Sequence, residues 1–136
     1  MDAPRKWIRS YPLGIRLVLL MYIVAFAIGT TTRLDSILHG WWFPKHPLLN
    51  AYWTSLVLVD PLTIILLVRA PRLGLPLALI VMVTDVTINS TASYLYVDAG
   101  GRYAVDIFVQ LQTAFLGFLL GSTSFVGAHV RGQTSA

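Results

Sequence analysis

The sequence predicts an all-α, polytopic membrane protein, a four-transmembrane-helix bundle that forms one domain over residues 1–136. Three observations predict this fold: charge is scarce, four apolar segments are long, and basic residues stand at the segment ends. Hydrophobic residues make up 56% of the 136 residues and charged residues 12%, against about 25% charged in a typical soluble domain. A soluble core could not enclose so much apolar surface at this chain length, whereas lipid tails can cover it.

Four segments have the length of a membrane span, which needs about 20 predominantly apolar residues. They are residues 13–32, 48–68, 73–96 and 104–128. The first has a basic flank like that of a signal peptide, but it exceeds the roughly 7–15 apolar residues of one, so we expect a retained span. Only a few residues separate the second segment from the third, which predicts antiparallel neighbours.

Basic residues predict the orientation of the bundle. With the N-terminus in the cytoplasm, the inner side would hold Arg5, Lys6, Arg9, Arg16, Arg69, Arg72 and Arg131, and the outer side would hold Arg33, Lys45 and Arg102. This bias follows the positive-inside rule. We therefore expect both termini to be cytoplasmic, in the plasma membrane if the chain is bacterial, with membrane lipids as partners.

Composition also excludes several classes of function. The net charge of +4 does not indicate nucleic-acid binding, because the basic residues flank apolar spans. The chain has no cysteine, which excludes disulfides and thiolate sites. His39 and His46 lack an evident third ligand, so no metal site is expected, and no cofactor motif is present.

Two aspartates inside predicted spans carry the functional argument. Asp60 and Asp85 each lie about 18 Å along their helices, at a rise of about 1.5 Å per residue, measured from opposite membrane surfaces. In a hydrocarbon layer about 30 Å thick, both fall near the middle and can share one cavity. A carboxylate at this depth is costly and usually marks a functional site. We expect the pair to bind a cation or a proton, or to act as catalytic acid and base.

Further polar residues extend this predicted site. Asp85, Asn89 and Ser93 form one stripe at i, i+4 and i+8 spacing. Trp53 lies on the same helix face as Asp60, where an aromatic ring suits an amine ligand. Gln110 and Gln112 both lie in the outer half of the fourth span, on different faces of the helix, and Gln110 is assigned to the expected ligand-binding set. The alternative is that such groups only join helices, with Asp60 bonded to Tyr22 or Thr63.

Two other features predict contacts rather than chemistry. Gly117 and Gly121 form a GxxxG pattern that suits either an internal helix contact or a homodimer. The connection over residues 33–47 contains Trp41, Trp42 and Phe43, which are expected at the headgroup level. Arg33 and Asp35 are expected to end the first helix and to pair.

The layout resembles the EXPERA-domain membrane proteins, the group of emopamil-binding and sigma-two-receptor-like proteins. The resemblance is carried by Arg33-Leu34-Asp35 at the end of the first helix, the Trp-rich first connection, Tyr52-Trp53, and Asp60 followed by Pro61. It implies four helices around a pocket for a sterol, another lipid or a lipophilic amine, with Asp35 among the ligand-binding residues. Asp60 stands where that group has an acidic residue. No intramembrane histidine accompanies it, which disfavours sterol isomerisation.

Three functions therefore remain open from the sequence. The first is binding of a lipophilic ligand in a mid-membrane pocket, with isomerase-type chemistry at Asp60 and Asp85. The second is a proton- or cation-coupled transporter subunit, which four helices could serve only as an oligomer. The third is a non-catalytic assembly or accessory protein.

Overall fold

A computed structural model of the chain contains four long α-helices in the part that it describes, which is residues 11–40, 46–98 and 107–132 without the side chains of residues 96–98 and 108. The helices are α1 (Leu13–Leu38), α2 (Pro47–Arg69), α3 (Pro71–Asp98) and α4 (Ile107–Gly132). Each is long and apolar enough to cross a membrane. The predicted all-helical architecture is thus confirmed, and Trp41, Trp42 and Phe43 lie outside the described residues.

Each helix packs against the next along the chain, and α1 meets α4 in a smaller contact. The turn between α2 and α3 is Ala70 alone, so these helices are antiparallel neighbours as predicted. Gly74 makes this turn possible, because a Cβ on it would lie 2.5 Å from the backbone nitrogen of Leu67. Only a residue without a side chain fits there.

The first helix continues past its predicted end at Thr32. The hydroxyls of Thr30, Thr31 and Thr32 donate to backbone carbonyls one turn earlier, so they are satisfied within a continuous helix. The helix ends at Leu38, and Gly40 beyond it has a φ of 72°, which glycine adopts without strain. The predicted connection over residues 33–47 therefore begins as helix.

The core lies along the inner faces of the helices. Ile15, Leu19, Tyr22 and Phe26 are buried on α1 at the three- and four-residue spacing of one helical face. Between α1 and α4, the Tyr22 ring meets the rings of Phe115 and Phe118 edge-on, and its hydroxyl lies 2.5 Å from Ser122 Oγ. Since Ser122 donates to the Phe118 carbonyl, the tyrosine hydroxyl is the donor to Ser122.

Large apolar side chains also cover the outside of the bundle. On α1 they are Leu13, Leu17, Leu20, Met21, Val24, Ile28, Leu34 and Leu38, and the other three helices carry similar residues. Helices that are apolar on every side are typical of membrane spans. Gly117 and Gly121 belong to this outer surface, where a Cβ on either would meet nothing within 4 Å. The expected internal contact through this pair is therefore wrong for the described residues, whereas a homodimer stays a prediction.

Candidate functional site: a buried arginine between two aspartates

Arg33 lies near the C-terminal end of α1, and its side chain turns back into the bundle. Helical side chains lean toward the N-terminus of their helix, which here directs the guanidinium toward the preceding turn. Gly29 occupies that turn, and a Cβ on it would lie 2.9 Å from Arg33 Nη1 and 3.2 Å from Asp60 Oδ2. The missing side chain at Gly29 thus leaves the space that the ion pair fills.

The guanidinium binds both buried aspartates at once. Arg33 Nη1 donates to Asp60 Oδ2 on α2, and Nη2 donates to Asp85 Oδ2 on α3. Asp60 is 1% exposed and Asp85 is 2% exposed, while the Arg33 side chain is 13% exposed. The predicted proximity of the two carboxylates is therefore confirmed, and the group that joins them is an arginine on a third helix.

Side-chain amides from α3 and α4 provide further hydrogen-bond donors to the Asp85 carboxylate. Asn89 Nδ2 lies 3.1 Å from Asp85 Oδ1, and Gln112 Nε2 lies 3.0 Å from Asp85 Oδ2. Asn89 Nδ2 also donates to Gln112 Oε1 at 2.9 Å, and Asn89 Oδ1 accepts from Trp53 Nε1 at 2.7 Å. We call these six residues the Arg33 cluster: Arg33, Trp53, Asp60, Asp85, Asn89 and Gln112.

The two carboxylates are not equally satisfied. Arg33, Asn89 and Gln112 all donate to Asp85. Among the described residues, Asp60 accepts only from Arg33, and its buried Oδ1 has no hydrogen-bond partner. A buried acceptor without a partner is rare in native proteins and costs about 1–3 kcal/mol. Asp60 is therefore the incomplete member of the cluster.

The charges of the cluster do not cancel. When all three groups are ionised, one guanidinium faces two carboxylates, which leaves one negative charge. Away from water this excess is expensive. The cluster can be neutralised by one added positive charge, and Asp60 Oδ1 is the acceptor available to receive it.

The structure places the sequence-predicted residues in two groups. Asp60, Asp85, Asn89 and Trp53 lie together in the Arg33 cluster. Gln110 is exposed on the outside of α4. Gln112 faces Asp85 instead, and two positions along a helix differ by about 200° in direction, so Gln110 points away from the site.

Asp35 also lies apart from the cluster. Its carboxylate is exposed and lies 3.2 Å from His39 Nδ1. The expected pairing of Arg33 with Asp35 is therefore wrong, because residues two apart point to different sides of a helix.

The alternative partners considered for Asp60 are occupied elsewhere. Tyr22 bonds Ser122, and Thr63 Oγ1 donates to the Val59 carbonyl of its own helix at 2.8 Å. Asp60 thus depends on Arg33 alone for its hydrogen bond among the described residues.

Sequence reasoning missed the role of Arg33, and it assigned Gln110 to the site in place of Gln112, which it placed nearer another face of the helix. A signal for Arg33 was available: two intramembrane acids require a counter-charge, and Arg33 was the basic residue nearest a predicted span on the outer side. Because Arg33 was expected to end the first helix, it was not considered as the counter-charge of the two aspartates. Gln112 could be separated from Gln110 only by knowing the rotation of α4.

Neither metal chemistry nor a known family adds to this picture. Within the described ranges, no group of three or more His, Asp or Glu is placed to hold a metal ion. Comparison with protein-family models, curated proteins and solved structures finds no significant match. The resemblance to EXPERA-domain proteins stays a prediction from layout.

Proposed function

We propose that the chain is an integral membrane protein that binds a lipophilic ligand carrying a positively charged amine at the Arg33 cluster. The observation that carries this proposal is the unpartnered Oδ1 of Asp60 in a buried site with one excess negative charge. We further propose that all four helices span the membrane with both termini in the cytoplasm, on the evidence of their apolar outer surfaces and the distribution of basic residues.

An ammonium group fits both deficits of the site. Its positive charge balances the excess carboxylate, and its N–H supplies the donor that Asp60 Oδ1 lacks. The indole of Trp53, held by Asn89, offers an aromatic ring near the carboxylates that could face a cation. The apolar remainder of such a ligand would contact the apolar side chains of the helices.

A proton-coupled transporter subunit is the second candidate. It is favoured by the hydrogen bonds that connect Asp85 through Asn89 to Gln112 and Trp53, since polar networks inside membrane proteins often serve proton movement. A homodimer through the outward-facing Gly117 and Gly121 would supply the additional helices that transport requires.

Isomerase-type acid/base chemistry would use Asp60 as the group that takes up and returns a proton.

The test compares ligand-induced thermal stabilisation in wild type, Asp60→Asn and Asp85→Asn. The purified protein in detergent is heated with a long-chain ammonium amphiphile or with its uncharged alcohol analogue. The amphiphile should raise the Tm of wild type more than the alcohol does. Asp60→Asn removes the excess charge and should abolish that difference.

A matched control is Thr63→Val, which changes a buried residue three positions from Asp60 that bonds only its own helix. It should retain the ammonium-specific rise in Tm. An equal rise with ammonium and alcohol in all variants would refute the cation site. A loss of the rise in Thr63→Val would mean that general packing, and not charge, governs the effect.

A further inference from the structure

The opposite end of the bundle from Arg33 is strongly basic. Arg16 stands at the start of α1, Arg69 at the end of α2, Arg72 at the start of α3 and Arg131 at the end of α4. Since consecutive helices run in opposite directions, these four residues lie at one end. Arg69, Arg72 and Arg131 are exposed and Arg16 is half-buried.

Backbone carbonyls hold two of these guanidinium groups in place. Arg16 Nε donates to the Tyr11 carbonyl at 2.7 Å, and Arg72 Nη2 donates to the Arg131 carbonyl at 3.3 Å. The Tyr11 side chain is buried near Arg72. Burial raises the pKa of its hydroxyl, although the charge of Arg72 opposes that rise. Arg16, Arg72 and Arg131, from α1, α3 and α4, are thus linked through Tyr11 and the Arg131 carbonyl, and they are here called the basic end patch.

No aspartate of the described residues lies at this end. Asp35 and Asp98 stand at the other end of their helices, and Asp60 and Asp85 are in the Arg33 cluster. Arg16 and Arg72 make no ion pair with a described carboxylate. Neutral carbonyls thus hold the Arg16 and Arg72 guanidinium groups in place, and no described carboxylate balances these two positive charges.

We propose that the basic end patch binds the phosphodiester headgroup of an anionic phospholipid. The planar guanidinium of arginine can donate to two phosphate oxygens at once. Basic sites between helices at the cytoplasmic surface bind acidic lipid headgroups. The apolar outer faces of α1 and α4 would contact the acyl chains of the same lipid. The inference rests on membrane insertion and is independent of the amine site.

The experiment measures the Tm of the full chain in phosphatidylcholine nanodiscs with and without phosphatidylglycerol. Phosphatidylglycerol should raise the Tm of wild type. Arg16→Gln and Arg72→Gln should lose most of this rise, since glutamine retains a donor for the carbonyl but not the charge, and Arg72→Lys should lose less.

Arg69→Gln is the matched control. Arg69 is exposed at the same end, but makes no hydrogen bond to the patch among the described contacts, so its replacement should leave most of the rise intact. Equal loss in the Arg16, Arg69 and Arg72 variants would show diffuse attraction to an anionic surface and overturn the proposal. An equal rise with inorganic phosphate in detergent would identify a site for a soluble anion and overturn it as well.

Discussion

Replacing Gly29 by alanine perturbs the Arg33 cluster without changing any charged residue. The added Cβ would lie 2.9 Å from Arg33 Nη1 and 3.2 Å from Asp60 Oδ2, closer to the nitrogen than two such atoms can stay. The backbone of α1 cannot yield easily in the middle of a helix, so the guanidinium must move. Its displacement weakens or breaks the hydrogen bond to Asp60, which has no other donor in the part of the chain that the structure describes.

The expected magnitude follows from two opposing effects. Alanine in place of glycine inside a helix stabilises by about 1 kcal/mol. Loss of a hydrogen bond to a charged group costs about 1.5–3 kcal/mol. The cost exceeds the gain, so Gly29→Ala should destabilise the protein by about 0.5–2 kcal/mol.

The assay is reversible unfolding in mixed detergent micelles, with Gly14→Ala as the control on the same helix. A Cβ on Gly14 meets nothing within 4 Å, so this substitution should be neutral or stabilising. If Gly29→Ala were as stable as wild type or more so, the guanidinium would not lie against Gly29, and the described geometry of the cluster would be wrong.

Three further predictions concern the fold. Gly74→Ala should prevent normal folding, because its Cβ would lie 2.5 Å from backbone; a monodisperse, heat-stable variant in size-exclusion chromatography would argue against the tight turn. Tyr22→Phe should lower the free energy of unfolding by about 0.5–1.5 kcal/mol, as Ser122 retains its bond to Phe118; no measurable change would exclude the hydroxyl contact. Reporter fusions at residue 136 and within residues 41–45 should report cytoplasmic and external locations, respectively, and an external C-terminus would rule out the proposed topology.

The sequence was sufficient to predict the helices, because apolar length and charge position are local properties. The end of α1 was mispredicted, since three consecutive threonines and an arginine resemble a helix end. The threonine hydroxyls bond carbonyls of their own helix, and the arginine side chain binds two aspartates on neighbouring helices. Polar residues that are satisfied within their helix or by tertiary contacts do not terminate it.

The site was predicted to the extent that depth and helix face determine it. The similar predicted depths of Asp60 and Asp85 on adjacent helices indicated that they lie close together. The four-residue spacing indicated that Asn89 lies beside Asp85. The rotation of α4 about its axis decides between Gln110 and Gln112, and it depends on packing against α3 rather than on local sequence. The role of Arg33 could be predicted only by recognising that its long side chain reaches back over Gly29 toward the two aspartates.

A charge-removal series at the cluster tests most directly the claim that Arg33 neutralises one of two buried carboxylates. Unfolding free energies are measured for Arg33→Gln, then with Asp60→Asn added, then with Asp85→Asn added. Arg33→Gln alone should cost about 3–5 kcal/mol, because it leaves uncompensated buried charge, and each added Asn should restore part of that loss. If Arg33→Gln were as stable as wild type, or if the added Asn substitutions lowered stability further, Arg33 would not be the counter-ion of this pair.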